Sequence, residues 1–132
     1  MRYQIAYDQD LNCVVFTTEG PFDVDALAGS IDDIVNKLEA YPSSNFLGDH
    51  SLSSLEPLSV NDVRQISGLA RKLADSLTGK KFALIFHGDL AFGLARMWQA
   101  FTEEKGTFAI GIYRSKEKAI SWLQKDIRLT DS

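Results

Sequence analysis

The sequence has a single cysteine, Cys13, so no internal disulfide can form, and its apolar surroundings read as core. Histidine is nearly as scarce. His50 and His87 are the only two, and each follows an apolar run, at the end of a strand where α/β sheets place their sites. Without a third ligand at suitable spacing they do not make a metal site, so no metal and no other cofactor is expected. No apolar run approaches a membrane span. The opening "MRYQIAYDQD" carries charge where a signal peptide needs an apolar stretch. A reducing, cytoplasmic setting is the expectation. Linkers, repeats and low-complexity tracts are missing too. The reading is a single domain over residues 1–132, long enough for one sizeable core.

Positive charge is short in the first part of the chain. Residues 1–59 hold ten carboxylates against Arg2 and Lys37, within a net charge of −4. Such an acidic surface excludes nucleic acid as the main partner. Only residues 60–81 are locally basic, with five basic residues against two acidic ones.

Motifs that carry chemistry are also lacking. Gly88-Asp-Leu-Ala-Phe-Gly93 has the glycine spacing of a phosphate-binding loop, but Leu94 and Ala95 stand where Lys and Ser or Thr would meet phosphate and magnesium. Asp89 reads instead as the cap of the following helix. No serine lies in a Gly-x-Ser-x-Gly elbow. The acidic pairs Asp32-Asp33 and Glu103-Glu104 fall on helix surfaces. The chain therefore reads as a non-enzymatic binding module.

What is present is a regular alternation of elements. "YQIAY" and "NCVVFTTEG" read as two strands joined near Asp8–Leu11. Asp23 caps a helix to about Asn36, with Val24, Leu27, Ile31, Ile34, Val35 and Leu38 on one stripe. "NFLGDH" is a short strand and "SLSSLEPLS" a loop. Ser59 starts a helix faced by Val63, Ile66, Ala70, Leu73 and Leu77. "FALIF" and "FAIGIY" are apolar runs of the kind buried on both faces of a sheet. Between them a helix carries Leu90, Leu94, Met97, Trp98 and Phe101 on its apolar face, and Gly106 ends it. Ser115 caps a last helix. The order β-β-α-β-α-β-α-β-α predicts an α/β fold: a mainly parallel five-stranded sheet with an antiparallel first strand and four helices.

Some apolar residues have no obvious core role. Phe92 projects away from the apolar face of its helix, and the 51–59 loop carries Leu52, Leu55 and Leu58. Either they fold onto the core, or they line a gap between the 51–77 segment and the helix starting near residue 90. Arg64 and Arg71 lie together on the wheel of the basic helix, with Lys80 and Lys81 beyond it. Leu52, Leu55, Leu58 and Phe92 with Arg64 and Arg71 are thus candidate contacts for a nonpolar small molecule or an anionic membrane surface.

The stretches "KKFALIFHGDLAFGLARMWQAF" and "FAIGIYRSKEKAISWL" resemble the SpoIIAA-like proteins, relatives of the STAS domain. The resemblance runs from "YQIAY" to "AISWL". Its best marks are Gly93-Leu-Ala-Arg-Met97 and the segment from Tyr113-Arg114 through Lys118-Ala119 to Trp122-Leu123. It implies a STAS-like fold with the element order above. It also implies one of two roles. STAS regulators that antagonise anti-sigma factors are phosphorylated on a Ser or Thr after the third strand, usually following Asp. Here Asp49-His50-Ser51 makes Ser51 the candidate phosphoacceptor, with His50 interposed, and a regulatory protein as partner. SpoIIAA-like proteins are also similar in shape to lipid-carrying CRAL-TRIO domains, which implies a nonpolar ligand or peripheral contact with a membrane. The leucines and Phe92 favour this second role. A homodimer is left open.

Overall fold

The computed structural model describes residues 1–103 and 108–125. Strands β1 (Arg2–Asp8) and β2 (Cys13–Pro21) form an antiparallel hairpin, followed by α1 (Val24–Ala40) and β3 (Asn45–Ser54). Next come α2 (Val60–Ala70), a 3₁₀ turn (Arg71–Leu73), α3 (Ala74–Leu77) and β4 (Lys81–Ile85). Helix α4 (Asp89–Glu103), β5 (Ala109–Tyr113) and α5 (Lys116–Gln124) complete the order. The strands lie side by side in sequence order, β1-β2-β3-β4-β5, with β2 to β5 parallel. This is the mainly parallel α/β sheet that the alternation predicts.

Each parallel strand is added on the same side of its predecessor. Right-handed crossovers then force every connecting helix onto one face of the sheet. Strand alternation follows suit. Val14, Phe16, Phe46, Phe82, Leu84, Ile110 and Ile112 pack with α1, α2 and α4 in the larger core. Cys13, Leu47, Ala83 and Ile85 point the other way and, among the described residues, cluster with Ala119 and Leu123 of α5, with partly buried residues at the margin. Burial pushes the Cys13 thiol up to about 11, so it behaves as a small apolar side chain.

Local signals set the helix ends. Asp23 accepts from the backbone N–H of Asp25 at 2.9 Å and Ala26 at 3.4 Å. Ser59 and Asp62 form a reciprocal capping box, and Ser115 accepts from Lys118 N. The first helix runs on to Ala40, past the expected end near Asn36, because "KLEA" keeps the helical pattern until Tyr41-Pro42.

Four expectations are corrected. The third strand does not stop at His50. It continues to Ser54, because its second half finds partners in Glu19, Gly20 and Pro21 beyond a register shift in β2. The basic helix breaks at the 3₁₀ turn Arg71–Leu73. On α4 the buried stripe is Ala91, Ala95, Trp98 and Thr102, with Leu90 54% exposed, so small residues rather than leucines face the sheet. Asp89 is not a cap. Gly88, at φ +90°, takes the position before the helix, and its carbonyl accepts the first helical bond from Phe92 N. Asp89 is the first helical residue and accepts from Arg114 Nη1 at 3.0 Å. The expected stop at Gly106 lies outside the described residues.

These placements separate two aspartates that look alike in sequence. Replacing the true cap, Asp23→Ala, should cost about 1 kcal/mol. Asp89→Ala and Asp89→Asn should cost the same as each other, and less, since only an exposed ion pair and a helix-end charge are lost. Thermal melts of the three variants check this ranking.

Candidate functional site

The C-terminal ends of β3 and β4 lie on one edge of the sheet, and the helices that follow them close over it. Helices α2 and α4 meet above the strands. Ala70 and Ala95, both buried, are among the residues that line a cavity of about 80 Å³ there. Phe46, Phe82, Leu84 and Phe86 form its floor, Leu27, Ile31 and Ile34 of α1 one wall, and Leu55, Leu58, Val63, Leu73 and Trp98 the rest.

Two polar features interrupt this apolar lining. His50 is buried at the edge of the cavity, with the rings of Phe16, Phe22 and Phe86 centred 5.7, 5.3 and 5.1 Å from its own. Its Nδ1 hydrogen-bonds Thr18 Oγ1 at 2.7 Å, and Thr18 Oγ1 in turn bonds Ser53 Oγ at 2.6 Å. Alternation on β2 and β3 brings Thr18 and His50 to the helix-covered face. Burial lowers the imidazole from its ordinary 6.5 to about 4, against a small opposing pull from Asp49. At neutral pH the ring is uncharged and a weak proton acceptor, and Thr18 is fully buried. The trio is built as a hydrogen-bonded chain rather than as a nucleophile and base. The second is Trp98, whose side chain lines the cavity while its indole N–H is buried away from accessible space and has no hydrogen-bond partner among the described residues. Such an orphaned donor costs roughly 1–3 kcal/mol.

The sequence-derived candidates scatter over this geometry. Leu55 and Leu58 line the cavity. Leu52 is 65% exposed near the end of β3. Phe92 is half-buried outside the cavity, beneath the Arg114 guanidinium at 4.3 Å from the ring centroid, with Arg96 at 6.0 Å. Arg64 sits 5.2 Å over the Phe101 ring, and Arg71 flanks a shallow hollow beside the same phenylalanine. Phe101 is nine residues, about 13 Å of helix, along α4 from Phe92. Arg64 and Arg71 therefore do not form one surface with Phe92. Lys81 points inward, donating from Nζ to the carbonyls of Trp122 and Lys125. Ser51 lies within β3, half-buried, and donates to Asp49 Oδ1 at 2.7 Å. His87 is exposed and apart from the buried His50. Among the described residues, no cluster of His, Cys, Asp or Glu could hold a metal ion, and no helix is long and apolar enough to cross a membrane.

Sequence reading missed Thr18, Ser53 and the orphaned Trp98 N–H. The available signal was Thr18, a polar residue at an inward position of an apolar strand. Nothing in a sequence marks an indole whose partner is missing.

No protein-family model matches the chain, and no curated protein matches its sequence. Solved structures do match. An uncharacterized protein of the DUF3478 family with a SpoIIAA-like fold, from Shewanella loihica PV-4, is 18% identical, with a TM-score of 0.59 over 92% of each chain. This chain has a SpoIIAA-like fold. An anti-sigma factor antagonist from Mycobacterium paratuberculosis is 17% identical, with a TM-score of 0.62 over 94% of each chain. Within this SpoIIAA-like fold, the cavity and the polar chain lie on the face covered by α1, α2 and α4. About 80 Å³ is well below the roughly 300–1,000 Å³ typical of ligand pockets. The space is too small for an acyl chain.

Buried His50 gives the fold an acid-sensitive point. Its folded value lies below its unfolded one, so its contribution is complete above about pH 6.5 and is lost as pH falls toward about 4. The loss should reach roughly 3 kcal/mol at about 1.4 kcal/mol per pH unit. Urea melts at pH 7 and pH 4.5 should show this dependence, and His50→Asn should flatten it. An equal slope in both proteins would assign acid sensitivity elsewhere.

Proposed function

We propose that the chain is a regulatory, non-enzymatic module that works by binding another protein, in the manner of an anti-sigma factor antagonist. The observation that carries this reading is an apolar rim. Leu52, Val60 and Leu90 are 65%, 50% and 54% exposed. They stand near the end of β3, at the start of α2 and at the start of α4, all on the sheet edge where β3 and β4 end. Exposed apolar side chains gathered at one edge favour a protein partner. The likeness in fold to the Mycobacterium paratuberculosis antagonist supports the same reading. A lipid-carrying or membrane-docking role has less support, since the cavity is small, Lys81 is buried, and Arg64 and Phe92 lie apart.

Control by phosphorylation fits this rim. Ser51, the candidate read from the sequence, is tied to Asp49 within the strand. Ser59 follows the end of the third strand, is exposed, and precedes Val60 at the N-terminus of α2. A phosphate on Ser59 would place about −1.5 to −2 charges beside Asp62 at the start of α2 and disturb the capping box that the two residues form. It would also turn an apolar rim anionic.

Affinity capture from the source cell, with quantitative mass spectrometry, tests both points. Wild type and Ser59→Ala should retain a common partner that Leu52→Glu and Ser59→Asp lose. Phosphopeptide mapping should find a modified serine between Ser51 and Ser59. Identical capture by all four proteins would refute the rim, and unmodified serines throughout that stretch would refute the switch.

A further inference from the structure

His50 has a second ring nitrogen that the polar chain leaves free. Thr18 Oγ1 takes Nδ1, whereas Nε2 makes no hydrogen bond among the described residues. The residue is 5% exposed and lines the cavity. Unlike the Trp98 indole nitrogen, Nε2 is not sealed from a water-sized molecule. Strand β3 sets its position. Phe46, Gly48 and His50 alternate onto the helix-covered face, and a Cβ on Gly48 would stand 2.9 Å from Nε2, 2.6 Å from Leu84 Cδ2 and 3.3 Å from Phe46 Cε1. Leu84 and Phe46 belong to the cavity floor, and the rings packed on the imidazole, Phe16, Phe22 and Phe86, line the cavity as well. The free nitrogen is thereby set on that floor, among side chains that line it.

The chain behind the ring decides what Nε2 offers. Thr18 Oγ1 has one proton to give and meets both Nδ1 and Ser53 Oγ. If Thr18 donates to Nδ1, Nε2 carries the ring proton and is a donor. If Thr18 donates to Ser53, Nδ1 carries it and Nε2 is an acceptor. A hydroxyl group donates and accepts, so it pairs with Nε2 in either state. The rest of the lining includes no charged side chain, so an apolar body suits it and an ion does not. The volume of about 80 Å³ is roughly half that of a cavity of about 150 Å³ that takes benzene, which limits that body to about three carbons.

We infer that this cavity binds a short-chain alcohol, of the size of a propanol, whose hydroxyl pairs with His50 Nε2 and whose carbons rest on Phe46 and Leu84. The half-buried members of the lining, Leu58, Ile66, Leu69 and Leu94, mark the side of entry. Water competes for the same nitrogen, and the experiment separates the two. The inference does not depend on the protein-binding rim, and either can fail without the other.

NMR titration of the ¹³C,¹⁵N-labelled chain at pH 7 tests it, with propan-1-ol and 1-chloropropane as probes of similar shape with and without the hydroxyl. His50 and His87 are the only histidines, and exposed His87 serves as the internal control. Propan-1-ol should move the His50 Nε2 signal saturably, leave His87 in place and give Overhauser contacts to the Leu84 methyls. His50→Phe keeps a ring but no polar atom. Read at the same methyls, it should weaken propan-1-ol roughly tenfold relative to 1-chloropropane, the worth of one hydrogen bond. Ala95→Leu, which narrows the cavity, should abolish the saturable shift; if that variant does not fold, the wild-type titration and His50→Phe decide. Three results would overturn the inference: no saturable shift at Nε2, an equal change for both probes in His50→Phe, or a resident water at Nε2 that propan-1-ol leaves in place.

Discussion

Three right-handed crossovers taken in the same direction oblige α1, α2 and α4 to share one face of the sheet. The rest of the molecule follows from that crowding. Three helices over five strands must pack closely, and Ala70, Ala91 and Ala95 are buried in the core they share. The aromatic residues Phe16, Phe46, Phe82, Phe86 and Trp98 fill most of what remains. Rings stack well in places, as Phe46 on Phe82 with centroids 4.5 Å apart, but rigid planes do not fill the space completely. The cavity is the residue of that geometry.

Polar groups survive in this core because they are linked. His50, Thr18 and Ser53 satisfy one another, and the three surrounding rings accept a neutral imidazole as one more plane. Among the described residues Trp98 is the exception, its buried indole N–H left without a partner. At the sheet edge above, the exposed leucines and Val60 face outward where a core leucine would turn in. A folded chain keeps such residues exposed at a cost in solubility, which a binding surface explains.

Much of this was legible in the sequence. "FALIF" and "FAIGIY" revealed themselves as doubly buried strands by unbroken apolar runs, and Asp23, Ser59 and Ser115 by their positions before periodic stretches. Element order then dictated topology. The second half of β3 was hidden because "SLSSL" pairs on one side only and lacks a strand's composition. The break at Arg71 was hidden because Ala, Arg, Lys and Leu are all good helix formers. Asp89 misled because Gly88, by adopting a positive φ, took the capping position from it. Of the apolar residues singled out in the sequence, Leu55 and Leu58 line the cavity and Leu52 does not. The polar chain and the orphaned indole depend on contacts between residues far apart in sequence, such as Thr18 with His50, which periodicity does not encode.

The two faces of the sheet are unequally guarded. The helix-rich face is held by interlocking elements, whereas among the described residues the other is covered by α5, which packs through Ala119 and Leu123 and is tied by the inward Lys81. The buried side chains of that face, Cys13 among them, form a cluster separate from the larger core. Local opening on this side would uncover that cluster, thiol included, and leave the aromatic core shut.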